Sequence, residues 1–381
     1  MNQTIYLDYA ASTPVDDDVL KSMLPYFQDK FYNPSANYLL AKNVNNDLKQ
    51  ARNQVASVLG ARFQEIIFTA GGSEANNLAI HGIMKRFPDK HIISSYLEHD
   101  SVLSPIKEYD YSFAKVKSDG LIDLSSVESL IQDNTVLITL MIANNEIGTI
   151  QPIKQLMQIV ERIRFFRLNN KNYLPLYVMA DGCQATNYID LHVSRLKVDM
   201  LTLNGSKIYG PKQSGILYLK HGVQIQPIIN GGGQEFNLRS GTENMAGSVG
   251  FTTALLKAQS IKKDEVIRLR KLQDNFIKLV NQKLTGTFIN GSLKHRLPNN
   301  VHLTFPGFDN ERLLIELDNR GIMASAGSAC SAASMKPSHV LSAIGMPDDL
   351  IRSSLRFTFG RSTTLLMLEQ TIKELIDITK K

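Results

Sequence analysis

"EIIFTAGGSEANNLAI", residues 65–80, decides the fold. A β-branched and aromatic run ends in two glycines and a serine. Apolar positions 75, 78, 79, 83 and 87 then recur at helical spacing, so the local order is strand, Gly-Gly-Ser turn, helix from near Ser73. Working outward, similar strand-like runs stand at KHIISS from 90, VLITLMIA from 136, LYVMADG from 176, MLTLNGSK from 200 and GILYLK from 215. The stretches between them read as helices or loops. This alternation means an α/β protein. Near residue 255 the rhythm changes to a long helical pattern reaching about 284, then strand-like NNVHLTF, a helix from Asp309, a small-residue stretch and a terminal helix. That part reads as a second, smaller α+β domain.

Composition bounds the function. The 381 residues are 43% apolar and 20% charged, which fits a globular chain with a sizeable core. Two cysteines cannot build a disulfide framework, and MNQTIYLDYA lacks the features of a secretory leader, so a reducing cytoplasm is the expected compartment. The longest apolar run, residues 136–143, is far short of the roughly 20 residues of a membrane span. The net charge of +6 is thinly spread, and the basic run 261–284 mixes acids with bases on a helical period. It reads as a solvated helix face rather than a nucleic-acid surface.

Three stretches carry chemistry. FTAGGSEANN puts glycines and a serine at a helix start, where backbone N–H groups and the positive dipole end attract an anion such as phosphate. In ADGCQA, Asp181 follows an apolar strand and emerges at its carboxyl end. Lys207, in TLNGSKIYGPK, ends the next strand-like run. One carboxylate, one lysine and one phosphate turn are what pyridoxal phosphate needs, although an isolated Asp or Lys is more often only a salt-bridge partner.

YLDYAASTP, GGSEANNLAI, LEHDSVL, NNEIGTIQP, DGCQ, SKIYGPK, GGGQEFNLRSGTEN, SAGSAC and SSLRFTFGR follow in order within residues 5 to about 362. Together they resemble the cysteine desulfurases, pyridoxal phosphate enzymes of fold type I in the class V aminotransferase group. The resemblance is to the subgroup that serves iron–sulfur cluster assembly and tRNA thiolation. It implies a large, mostly parallel-sheet cofactor-binding domain over residues 14–255, and a small α+β domain formed by 1–13 and 256–381 that carries a mobile cysteine loop.

The same resemblance assigns roles. Lys207 matches the Schiff-base lysine, Asp181 the pyridinium partner, and Gln184 the side chain bonded to the ring hydroxyl. His99 matches the residue stacked on the ring, which also moves protons near the substrate thiol. Gly72 and Ser73 match the phosphate cup, with Asn204 and Ser206 where phosphate-binding serine and histidine are usual. Thr242 matches a residue reaching the phosphate from the neighbouring subunit, implying a homodimer. Arg356 matches the guanidinium that grips the substrate α-carboxylate, a planar fork for a planar acceptor, with Asn145 and Asn33 assisting. Cys330, among residues too small to pack it, matches the nucleophile that takes sulfur as a persulfide. Cys183 reads as structural. Leu39 stands near a usual histidine. L-cysteine is the implied substrate, and a protein such as an iron–sulfur scaffold or a tRNA thiolation enzyme the implied acceptor. An aminotransferase or lyase of the same fold, or a non-catalytic relative, is the alternative.

Overall fold

The computed structural model describes residues 4–327 and 337–380; Cys330 lies outside the described residues. Twelve strands are β1 (Ile5–Tyr6), β2 (Ile66–Thr69), β3 (His91–Ser95), β4 (Asp110–Ala114), β5 (Thr135–Met141), β6 (Tyr177–Asp181), β7 (Met200–Asn204), β8 (Gly215–Leu219), β9 (Phe288–Ile289), β10 (Asn300–Thr304), β11 (Ile322–Met323) and β12 (Ser354–Thr358). Seven of them form one sheet in the order β2-β8-β7-β6-β5-β3-β4. All its pairings are parallel except those of β8, which runs antiparallel to both neighbours. The expected α/β class, with its mostly parallel sheet, is therefore present.

Parallel strands need crossovers that cover both faces, so β5 and β6 are apolar on both sides rather than alternating, and antiparallel β8, inside the same covered sheet, is buried along its whole length too. On one face Leu137, Met179, Met200 and Leu217 pack with Leu78, Ile80 and Ile83 of the helix Gly72–Arg86. On the other, Ile138, Leu140, Val178 and Leu201 pack with the helices Leu39–Leu59 and Ile153–Asn169. A separate cluster joins β10 and β12 to the helices Asn310–Asn319 and Leu365–Ile378. The long helix Met245–Lys283 feeds both regions: Phe251 and Leu255 enter the first core, Phe276 and Val280 the second. It begins ten residues before the point at which the sequence rhythm changes, so residue 255 falls within one unbroken helix.

β5, β6 and β7 run parallel and stop at Met141, Asp181 and Asn204, so residues following them gather along one edge of the sheet. That edge is where open parallel sheets bind ligands. Among the described residues no helix is long and apolar enough to cross a membrane, and no group of three or more His, Cys, Asp or Glu side chains is placed to hold a metal.

Candidate active site

A cleft of about 620 Å³ opens at the carboxyl edge. Its floor is Asp181, the last residue of β6, which is 8% exposed. Each carboxylate oxygen accepts one N–H: Oδ1 from the Cys183 backbone at 2.9 Å, Oδ2 from Asn76 Nδ2 at 2.9 Å. The second hydrogen of that Asn76 amide goes to Ser101 Oγ at 2.9 Å, and Ser101 Oγ lies 2.9 Å from His99 Nδ1. His99 is the cap of the helix Asp100–Ile106, where its Nδ1 accepts the Ser101 N–H at 3.1 Å. An imidazole thus fills a position that oxygen side chains usually occupy.

Lys207 closes a single 3₁₀ turn, Gly205–Lys207, directly after β7. Asn204 caps that turn: its Oδ1 accepts both the backbone N–H and the hydroxyl of Ser206, each at 3.1 Å. The N-terminal segment crosses the cleft above. Lys207 Nζ donates to the Ala11 carbonyl, and Gln184 Nε2 donates to the Ala10 carbonyl at 2.9 Å.

The phosphate turn follows from β2. Gly71 sits at φ 130°, ψ −176°, a conformation that L side chains rarely adopt, and it caps the 15-residue helix Gly72–Arg86 without a side chain. The first N–H groups of that helix therefore have neither an intrahelical nor a cap acceptor of their own. A Cβ on Gly72 would lie 2.8 Å from Cys183 Sγ and 3.6 Å from Asn204 Nδ2, so the glycine keeps the turn open and brings the Asn204 amide beside it. Burial, with Asp181 next to it, pushes the Cys183 thiol well above its ordinary range, which suits a packing role rather than a nucleophilic one.

Arg356 forms the far wall. It is 1% exposed, donates from Nη2 to Asp8 Oδ1 at 2.6 Å and from Nη1 to the Asn145 carbonyl at 2.9 Å, and its buried Nε has no acceptor among the described residues.

The cleft brings together Gly72, Ser73, His99, Asn145, Asp181, Gln184, Asn204, Lys207 and Arg356 from the sequence-derived set. Ser206 stands just behind it, with its hydroxyl given to Asn204. Thr242 and Asn33 stand elsewhere, both exposed; Asn33 Oδ1 accepts the Ser35 N–H at 2.9 Å in a local turn. Thr242 lies between Gly241 and Glu243, which line a different pocket beside Arg239. Sequence reasoning missed Asp8, Asn76 and Ser101. All three lie inside quoted motifs, and Asn76 follows Gly72 by one helical turn, but nothing in composition marks them.

Comparison with known proteins places this arrangement. The model of the family Aminotransferase class-V matches residues 5–368. The cysteine desulfurase IscS of Dictyoglomus turgidum is 39% identical over 388 residues, covering 100% of this chain and 96% of that protein. The chain belongs to the cysteine desulfurases of the class-V aminotransferase family. Among solved structures, a NifS-like protein from Rickettsia africae superposes with a TM-score of 0.88 at 30% identity, over 99% of both chains. SspA, solved in complex with cysteine, does so with a TM-score of 0.79 at 35% identity, over 93% of this chain and 99% of that one.

Cysteine desulfurases of this family use pyridoxal phosphate, and the residues present fit it. A carboxylate faces the cleft from the floor, a lysine from its rim, and the N–H groups of a helix start are of the kind that can hold a phosphate. Asn76 Oδ1, buried beside the cleft, has no hydrogen-bond partner among the described residues.

Proposed function

We propose that the protein is a pyridoxal phosphate-dependent cysteine desulfurase, converting L-cysteine to L-alanine and passing the sulfur to Cys330 as a persulfide. The observation that carries this reading is the meeting of Asp181, Lys207, His99 and Arg356 in one cleft from four distant parts of the chain. In the reaction the C–S bond of the substrate breaks, the sulfur joins the Cys330 thiolate, and the substrate β-carbon takes a proton. When bound, the cofactor supplies an electron sink for the bond changes at the substrate α-carbon.

The chain's own residues then have these parts. Lys207 would hold the cofactor, and its free amine is placed to move the α-proton. Asp181 would hold the ring nitrogen protonated, and Gln184, whose amide donates to the Ala10 carbonyl, would donate to the ring hydroxyl. Gly72, Ser73 and Asn204 hold the phosphate, with Ser206 steadying Asn204. Arg356 would take the α-carboxylate between two N–H groups, helped by Asn145; Asn33, which stands outside the cleft, would assist only after its loop moves inward. His99 moves a proton at the substrate thiol.

Further parts of the reading are a homodimer in which Thr242 completes the neighbouring site, a protein sulfur acceptor serving iron–sulfur assembly or tRNA thiolation, and a cytoplasmic location, where thiols stay reduced. The two-domain division at residues 14–255 against 1–13 plus 256–381 belongs with them. Its support is the separation of the apolar cluster around β10 and β12 from the clusters on the seven-stranded sheet.

Borohydride reduction of the holoenzyme followed by peptide mapping tests the cofactor site. The reading requires the adduct on the peptide containing Lys207; an adduct on any other lysine overturns it. Cys330→Ala keeps the cofactor and loses sulfide release from cysteine. An active Cys330→Ala variant would favour an aminotransferase or lyase.

A further inference from the structure

Four side chains link the two polar ends of the cleft. Asp181 Oδ2 accepts from Asn76 Nδ2 at 2.9 Å, Asn76 Nδ2 also donates to Ser101 Oγ at 2.9 Å, and Ser101 Oγ lies 2.9 Å from His99 Nδ1. Hydrogen accounting fixes the direction of every bond. A carboxylate only accepts, so the Asn76 amide nitrogen faces both Asp181 and Ser101. Ser101 Oγ, already accepting from that amide, gives its own hydrogen to His99 Nδ1. The Ser101 backbone N–H points at the same ring nitrogen from 3.1 Å. Two donors converge on Nδ1, so Nδ1 is unprotonated and the imidazole carries its single hydrogen on Nε2.

We propose that Ser101 is a positioning residue for the sulfur-transfer reaction: with Asn76 it pins His99 as the Nε2–H tautomer and ties that ring to the Asp181 carboxylate. The inference rests on the desulfurase reading for the role of His99, while the tautomer itself is independent of it. The backbone N–H and the Ser101 hydroxyl meet Nδ1 from different atoms, so the hydroxyl adds a second constraint on that nitrogen and helps set the ring plane. The hydroxyl also matches Asn76, which is 1% exposed and would otherwise leave one amide hydrogen unpaired beside a carboxylate. A hydroxyl at 101 therefore orients two functional groups at once, the proton donor at the substrate and the anion at the ring nitrogen.

The test is long-range ¹H–¹⁵N correlation on holoenzyme labelled with ¹⁵N-histidine, with His99→Gln assigning the signal, alongside turnover of L-cysteine. Wild type shows the Nε2–H tautomer. Ser101→Ala moves the Nδ1 resonance and lowers kcat about tenfold, a part of the 10²–10⁴ that a positioned acid–base group supplies, with KM unchanged. Ser101→Thr, which restores the hydroxyl, returns both. The Nδ1–H tautomer in wild type overturns the proposal, as does a Ser101→Ala variant whose Nδ1 resonance or kcat stays at the wild-type value. Absence of desulfurase activity in wild type would instead defeat the functional reading and leave the tautomer result standing.

Discussion

Arg356 Nη2 and Asp8 Oδ1 lie 2.6 Å apart, joining the segment just after β1 to β12. The guanidinium is 1% exposed, so this carboxylate is what makes a positive charge tolerable there. Asp8→Ala leaves a buried cation without its counter-charge and lowers unfolding stability by about 3 kcal/mol. Asp8→Asn, which can still accept the bond, loses less. Urea unfolding measures both; an Asp8→Ala midpoint equal to wild type would show the pair to be neutral.

Asn204 supports the lysine and the turn proposed to hold phosphate together, capping Gly205–Lys207 through Oδ1 while its Nδ2 stands beside Gly72. Asn204→Ala removes a cap worth roughly 1 kcal/mol and one donor near the phosphate. Cofactor titration into the apoprotein is expected to show affinity about tenfold weaker, equivalent to about 1.4 kcal/mol. Unaltered affinity would place the asparagine outside the phosphate site.

His302 lies on β10 directly across from Arg356 and is fully buried. Burial, with the positive Arg296 and Arg356 nearby, brings its pKa from 6.5 down to about 3. Between those values the unfolded chain takes a proton that the folded chain refuses. This contribution to stability is therefore complete above about pH 6.5 and is lost as the pH falls through the window, by at most about 1.4 kcal/mol per pH unit. His302→Asn flattens that part of the curve of stability against pH. An identical slope in the variant would assign the acid sensitivity to other groups.

The strands were legible where both faces are buried, because helices on either side of the sheet make them continuous apolar runs: EIIFTA, VLITLMIA and MLTLNGSK each overlap an observed strand, Ile66–Thr69, Thr135–Met141 and Met200–Asn204. β4, with the sequence DYSFA, was not, since an edge strand exposes Asp110 and Tyr111 and carries little apolar signal. The start of Met245–Lys283 was hidden by the small residues Ala246, Gly247, Ser248 and Gly250, which pack closely but lack an apolar stripe. Asp181, Lys207 and the glycine turn were visible because strand ends bear chemistry. The bond between Asn76 and Asp181 spans 105 positions and the one between Asp8 and Arg356 spans 348, and no local pattern encodes either. Ser101 was hidden for a different reason: a serine in the first turn of a helix reads as helix-start chemistry, and only the approach of Asn76 reveals its second use.

The most direct measurement of the central claim is the product balance from L-cysteine, with a reductant present to discharge the persulfide. Purified holoenzyme is expected to release L-alanine and sulfide in equal amounts, and Lys207→Ala to release neither. Pyruvate and ammonia in place of alanine, or alanine formation that survives Lys207→Ala, would contradict the account.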